Sequence, residues 1–179
     1  SPLLLELATI HLNKFSNKTN PCEIKALLFD VGGVITASPL LKINHLEEEH
    51  NLEKGTLGKV LKSCELFHDL EKGKVRMDDT VLHNLDLHLN QHLKPENFID
   101  SNKLIQCIES CVETPLAEVV ELIRHLKTLG YKVGIVSNVF FSGEKAVGIY
   151  GTSLLHDLSP SCIVLSCEVG SRKPEKEIF

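Results

Sequence analysis

Residues 24–29, Ile24-Lys25-Ala26-Leu27-Leu28-Phe29, form a nearly continuous apolar run that stops at Asp30 and is followed by Gly32-Gly33. Such a run predicts a strand of a parallel sheet covered on both faces. From Leu40 to about Val112 the pattern changes to charged, leucine-bearing segments at helical spacing, broken at Gly55, Gly58, Gly73 and Pro95. This predicts a helical insertion of roughly seventy residues. Thr114-Pro115 then reads as an N-cap with proline at the first helical position, and Leu116, Val119, Val120, Ile123, Leu126 and Leu129 mark one helix face up to Gly130. Tyr131 to Val136 predicts a second strand ending at Ser137-Asn138, and Cys162 to Ser166 a third. In Arg172-Lys173-Pro174-Glu175 the proline stands where a new helix would start.

Strands alternating with helices imply an α/β fold with a parallel, Rossmann-like sheet. The predicted division is an N-terminal extension at 1–23, an α/β core at 24–39 and 113–179, and a helical cap insertion at 40–112. Ligands of such sheets sit beyond the carboxyl ends of the strands, which singles out Asp30, Ser137 and Lys173. The opening SPLLLELATIHL is interrupted by Glu6 and too short to span a bilayer, so it predicts a short amphipathic helix.

Composition narrows the function classes. Acidic residues outnumber basic ones, 24 against 19 in 179 residues, giving a net charge of -5 that offers no general attraction to nucleic acid or anionic lipid. The expected partner is a small molecule, with neither nucleic acid nor membrane involved. The six cysteines, Cys22, Cys64, Cys107, Cys111, Cys162 and Cys167, lack the two-residue spacing of zinc knuckles and dithiol motifs. They read as reduced, mostly buried thiols of a cytoplasmic protein or an organelle matrix. The sequon at Asn17 would matter only in a secreted chain.

Some features admit a bland and a sharper reading. Cys107 and Cys111, and also His88 and His92, are four apart, as helical metal pairs are, although packing and a solvated face are the defaults. The run Glu47-Glu48-Glu49 is expected to face water, and Phe140-Phe141 either to wall a substrate pocket or, as apolar pairs usually do, to pack under the helical insertion. The sole methionine is Met77, so a chain starting at Ser1 reads as a processed form, a domain or a fragment.

A carboxylate nucleophile, a hydroxyl donor and an ammonium on one rim are the groups phosphoryl transfer needs. Taken singly, each is an ordinary turn or cap residue. Together, IKALLFDVGGVI at 24–35, VGIVSN at 133–138 and EVGSRKPEKEIF at 168–179 resemble the first three motifs of the haloacid dehalogenase-like hydrolases. Within that superfamily they look like the amino-terminal phosphatase-like domains of soluble epoxide hydrolases and of multidomain acyl-CoA dehydrogenase family proteins. The resemblance implies a phosphatase on small phosphate esters, with Asp30 as nucleophile and Lys173 as the cation joining it to the phosphate. It also implies Ser137 and Asn138 as substrate ligands, and Mg²⁺ held by Asp30 and the Gly32 carbonyl.

Gly32 stands where phosphatases of this group usually place a second aspartate, the general acid and base. Lack of such help costs roughly 10²–10⁴-fold, least for good leaving groups. The fourth motif, an acidic pair, is not found up to Phe179. The expectation is therefore an incomplete core, whose competence needs residues after Phe179 and which belongs with other domains of a longer chain. The alternative reading is a non-catalytic domain that binds a partner or scaffolds a larger enzyme. A halide-releasing enzyme stands third.

Overall fold

The computed structural model describes residues 24–91, 93–112, 114–146, 154 and 158–179. The opening predicted as an amphipathic helix, the sequon at Asn17, Cys22 and His92 lie outside these residues.

Three parallel strands carry the site: β1 (Ala26–Phe29), β2 (Lys132–Ser137) and β5 (Cys162–Leu165), in the order β1-β2-β5. Ala26 pairs with Lys132 and Phe29 with Ile135; Gly134 pairs with Cys162 and Ser137 with Leu165. All three strands therefore end on one rim. A hairpin of β3 (Phe141–Ser142) and β4 (Lys145–Ala146) follows β2. At Gly134 the strands pack closely: a β-carbon there would lie 2.6 Å from both Cys162 Sγ and Leu28 Cδ2, so those two side chains would have to shift to admit one.

Between β1 and β2 run α1 (Pro39–Glu49), α2 (Thr56–Ser63), α3 (Glu65–Glu71), α4 (Asp79–Asn90) and α5 (Ser101–Ser110). They bury one apolar cluster of their own, with Leu57, Leu70, Leu85, Leu89 and Leu104 at its centre. The α/β layer buries a second, built on Ile35, Ile123, Ile135, Leu158 and Leu165. Leucines at helical spacing fill the first and β-branched residues dominate the sheet side of the second, as the two periodicities require. Phe140 belongs to the helical cluster although it lies in the chain just after β2, and it meets the edge of Phe67 at 6.3 Å between ring centroids.

Several sequence expectations are corrected. β1 is not covered on both faces: Ala26 and Leu28 are exposed, Leu28 at 53%. Helix α6 (Ala117–Thr128) begins after the proline, because Thr114 to Leu116 are engaged elsewhere. The Thr114 carbonyl accepts from Ala37 N and Leu116 N donates to the Ile35 carbonyl, so this stretch is drawn out against the loop after β1. Gly58 lies inside α2 and breaks nothing. Ser166 opens the short helix α7 (Ser166–Val169) and does not close β5. Pro174 begins no α-helix; it sits in a turn closed by Glu175 N on the Arg172 carbonyl, ahead of a single 3₁₀ turn at Lys176–Ile178.

Glu47 does not face water. It is fully buried, and its carboxylate accepts from Gly55 N and Leu57 N, each at 2.6 Å, satisfying free amides at the start of α2. Glu48 and Glu49 are exposed as expected. Of the described cysteines, Cys64, Cys111 and Cys167 are buried and Cys162 is exposed. Burial pushes the Cys167 thiol up to about 11, assisted by the charge of Glu168.

Candidate active site

Asp30 follows directly on β1, and the chain then turns back on itself. The Val31 carbonyl accepts from the amides of Val34, Ile35 and Thr36 and from the Thr36 hydroxyl, while Gly33 N reaches the carbonyls of Thr36 and Ala37. Gly33 has a φ of 80°, which glycine adopts without cost. Val31, Ile35 and Thr36 of this turn are buried, while Gly32, Gly33 and Val34 are exposed. The turn fixes Asp30 at the rim, where Val31 N donates to Oδ1 at 2.8 Å.

Lys173 comes from the far end of the chain. Its ammonium lies 2.6 Å from Asp30 Oδ2 and donates to the Val136 carbonyl near the end of β2 at 3.1 Å. Its backbone is held by Asn138: Lys173 N donates to Asn138 Oδ1 at 2.8 Å, and Asn138 Nδ2 donates to the Lys173 carbonyl at 3.2 Å. Both ends of the Asn138 amide are thus used to present the lysine. Ser137, the last residue of β2, is buried beside them. Ser166 accepts from Val139 N and donates to the Val139 carbonyl, tying the exit of β2 to the start of α7.

A cavity of about 60 Å³ opens between this rim and α5, lined by Val31, Gly32, Thr36, Pro39, Ile108, Cys111, Ser137, Asn138 and Phe140. Its wall is largely apolar, with Ser137 and Asn138 on the sheet side. Desolvation raises the Cys111 thiol above its ordinary range, which suits a packing role rather than a nucleophilic one.

Sequence reasoning missed the charges around the lysine loop. Arg172 Nε meets Glu71 Oε2 of α3 at 2.5 Å, and the Lys72 ammonium pairs with Glu175. Burial raises the Glu71 carboxyl above its ordinary value, an effect opposed by Arg172 and then by His68 and Lys173. Glu175 is held down to about 2, first by Lys72 and then by the Arg172 amide and the Ser171 hydroxyl. No local spacing announces these partners, which are about a hundred residues apart in sequence.

A family profile for haloacid dehalogenase-like hydrolases matches residues 24–179. The chain belongs to that family. Among solved structures it is similar to the HAD-hydrolase YfnB from Bacillus subtilis, crystallised bound to magnesium, at 23% identity and a TM-score of 0.49 over 87% of this chain and 71% of that one. No curated protein matches the chain. The family's Rossmann-like α/β core accounts for the parallel sheet and for its accompanying helices.

Among the described residues no group of three or more His, Cys, Asp or Glu side chains converges on one point, and this covers Cys107, Cys111 and His88. Asp30, its side chain 40% exposed, offers one carboxylate at the rim, with the Gly32 carbonyl two residues on. Mg²⁺ ordinarily takes one or two carboxylates, keeps several waters and shares the substrate's phosphate, so these oxygen donors fit that ion. No helix among the described residues is long and apolar enough to cross a membrane.

Proposed function

We propose that this hydrolase cleaves small phosphate esters through Asp30. The observation that carries the reading is the contact between Lys173 Nζ and Asp30 Oδ2 at 2.6 Å, made at the rim where the parallel strands end. A carboxylate attacks a phosphate dianion only when the repulsion between them is offset. Lys173 supplies a fixed cation at the point of attack, and Val136 and Asn138 hold it there.

In the proposed reaction an Asp30 carboxylate oxygen attacks phosphorus, the bond to the leaving oxygen breaks, and an aspartyl-phosphate forms. Water then attacks that phosphorus, releasing phosphate and restoring Asp30. Ser137 is assigned a phosphoryl oxygen, and Lys173 neutralises charge throughout. Asn138 serves by holding Lys173 and borders the cavity where the leaving group would lie. Mg²⁺, held by Asp30 and Gly32, would supply further charge neutralisation. Gly32 has no proton to give, so substrates with acidic leaving groups are expected to be favoured.

Beryllofluoride with Mg²⁺ mimics an aspartyl-phosphate and tests the assignment. The full-length wild-type protein is expected to bind it, as read by ¹⁹F NMR or calorimetry, and its Asp30→Asn variant to lose that binding. Equal binding by the two proteins would remove Asp30 from the reaction.

A further inference from the structure

Among the described residues, the end of α3 and its connection to α4 touch the α/β layer at four places. Glu71 pairs with Arg172, and Lys72 with Glu175. Gly73, with a φ of 65°, lies so near the Cys167 carbonyl that a β-carbon would overlap it. The Arg76 guanidinium sits 4.3 Å from the centroid of the Phe141 ring and donates to the Gly143 carbonyl at 2.9 Å. Two of these four contacts grip the residues on either side of Lys173-Pro174.

We infer that Glu71 and Arg172 are positioning residues for Lys173, so that the seating of the helical layer decides how the lysine meets Asp30. The inference rests on the role proposed above for Lys173. Two adjacent cations on one loop, Arg172 and Lys173, face two different carboxylates, Glu71 and Asp30. The Arg172 and Glu71 side chains are only 21% and 11% exposed, so neither charge has much water to fall back on. Glu175 reinforces the arrangement, accepting from Ser171 Oγ at 2.9 Å and from Arg172 N at 3.1 Å while it pairs with Lys72. With Glu71 neutralised, the guanidinium loses its carboxylate and the loop loses the tie that assigns each cation its own partner.

The test is a double-mutant cycle in the full chain, with Glu71→Gln, Arg172→Gln and both together. Two readouts are taken: amide hydrogen exchange, and steady-state hydrolysis of an aryl phosphate with Mg²⁺. Each single variant is expected to speed exchange at the Arg172 and Lys173 amides about tenfold, with the helical amides of α4 and α5 unchanged, and the double variant to be no faster than either single one. kcat is expected to fall with KM little changed, as for a contact that matters in the transition state. Unchanged exchange at Arg172 and Lys173 in the single variants, or strictly additive effects in the double one, would overturn the inference. If exchange responds as expected while the full-length wild type shows no Asp30-dependent hydrolysis, the tie between helical layer and lysine loop stands and the phosphatase reading falls.

Discussion

At the scale of single residues, the absent proton donor at Gly32 has a measurable consequence. A β-carbon there would meet Pro39 Cδ at 3.2 Å and Cγ at 3.3 Å, and the residue does not have the positive φ that would strain a side chain. Pro39, at the first turn of α1, need yield only slightly to admit an aspartate. Gly32→Asp is therefore expected to fold and to raise turnover of alkyl phosphates by up to about 10²-fold while changing aryl phosphates far less, as general acid help would. The check is a plot of log kcat/KM against leaving-group pKa, which should flatten in the variant. An unaltered slope would mean that another side chain already supplies the proton. Position 32 was legible in the sequence as a departure from the family pattern; that Pro39 borders it was not, because that contact depends on how α1 enters.

Elements here owe their limits to partners remote from their own residues. Helix α2 starts at Thr56 after Gly55, which has a φ of 85° and, being glycine, no side chain to cap the helix. Glu47 of α1 supplies the cap instead. Its removal would leave two amides and a buried space, so Glu47→Ala is expected to cost about 2–4 kcal/mol, and Glu47→Gln less, since one acceptor remains. Chemical denaturation with a linear extrapolation decides it; a loss below half a kilocalorie would show that water replaces the carboxylate. The triple-glutamate pattern gives no hint of this, as period and charge are the same for a capping carboxylate as for a solvated one. Helix α6 makes a similar point: Val120, Ile123 and Leu126 are buried as their spacing predicts, while its first turn is lost to pairing between Thr114–Leu116 and the loop after β1.

Taken whole, the molecule joins a helical layer to an α/β layer through charged groups with opposite responses to pH. Glu175 has its carboxyl value lowered from 4.5 to about 2, chiefly by Lys72. For a depressed carboxyl the stabilisation is complete above the ordinary value and is lost as pH falls through the folded one. Exchange at the Arg172 amide, which donates to Glu175, is therefore expected to quicken relative to the helical amides as pH drops from 4.5 toward 2. In Glu175→Gln that pH dependence should vanish, and its persistence would assign the effect to another carboxylate. Glu71 has the opposite sign: burial raises its value, so its contribution is complete at low pH and is lost as pH rises through the raised value. Its ionisation opposes stability, in keeping with a pair that fixes geometry rather than one that holds the fold together.

The linear sequence determined the order of strands and helices, the helical character of the stretch between β1 and β2, and the rim position of Asp30, Ser137 and Lys173. Those properties follow from hydrophobic period and from glycine and proline punctuation, which act over a few residues. The family was also readable, since its motifs are local. The resemblance already implied that Lys173 serves Asp30; only the tertiary structure decided that Asn138 grips the lysine backbone and that Glu71 takes Arg172. It likewise decided that Glu47 is a buried cap and that Leu28 remains exposed. Each of these depends on which groups are brought together after the sheet forms and the helices pack, because a charge or a polar group takes its role from its nearest partner and its access to water.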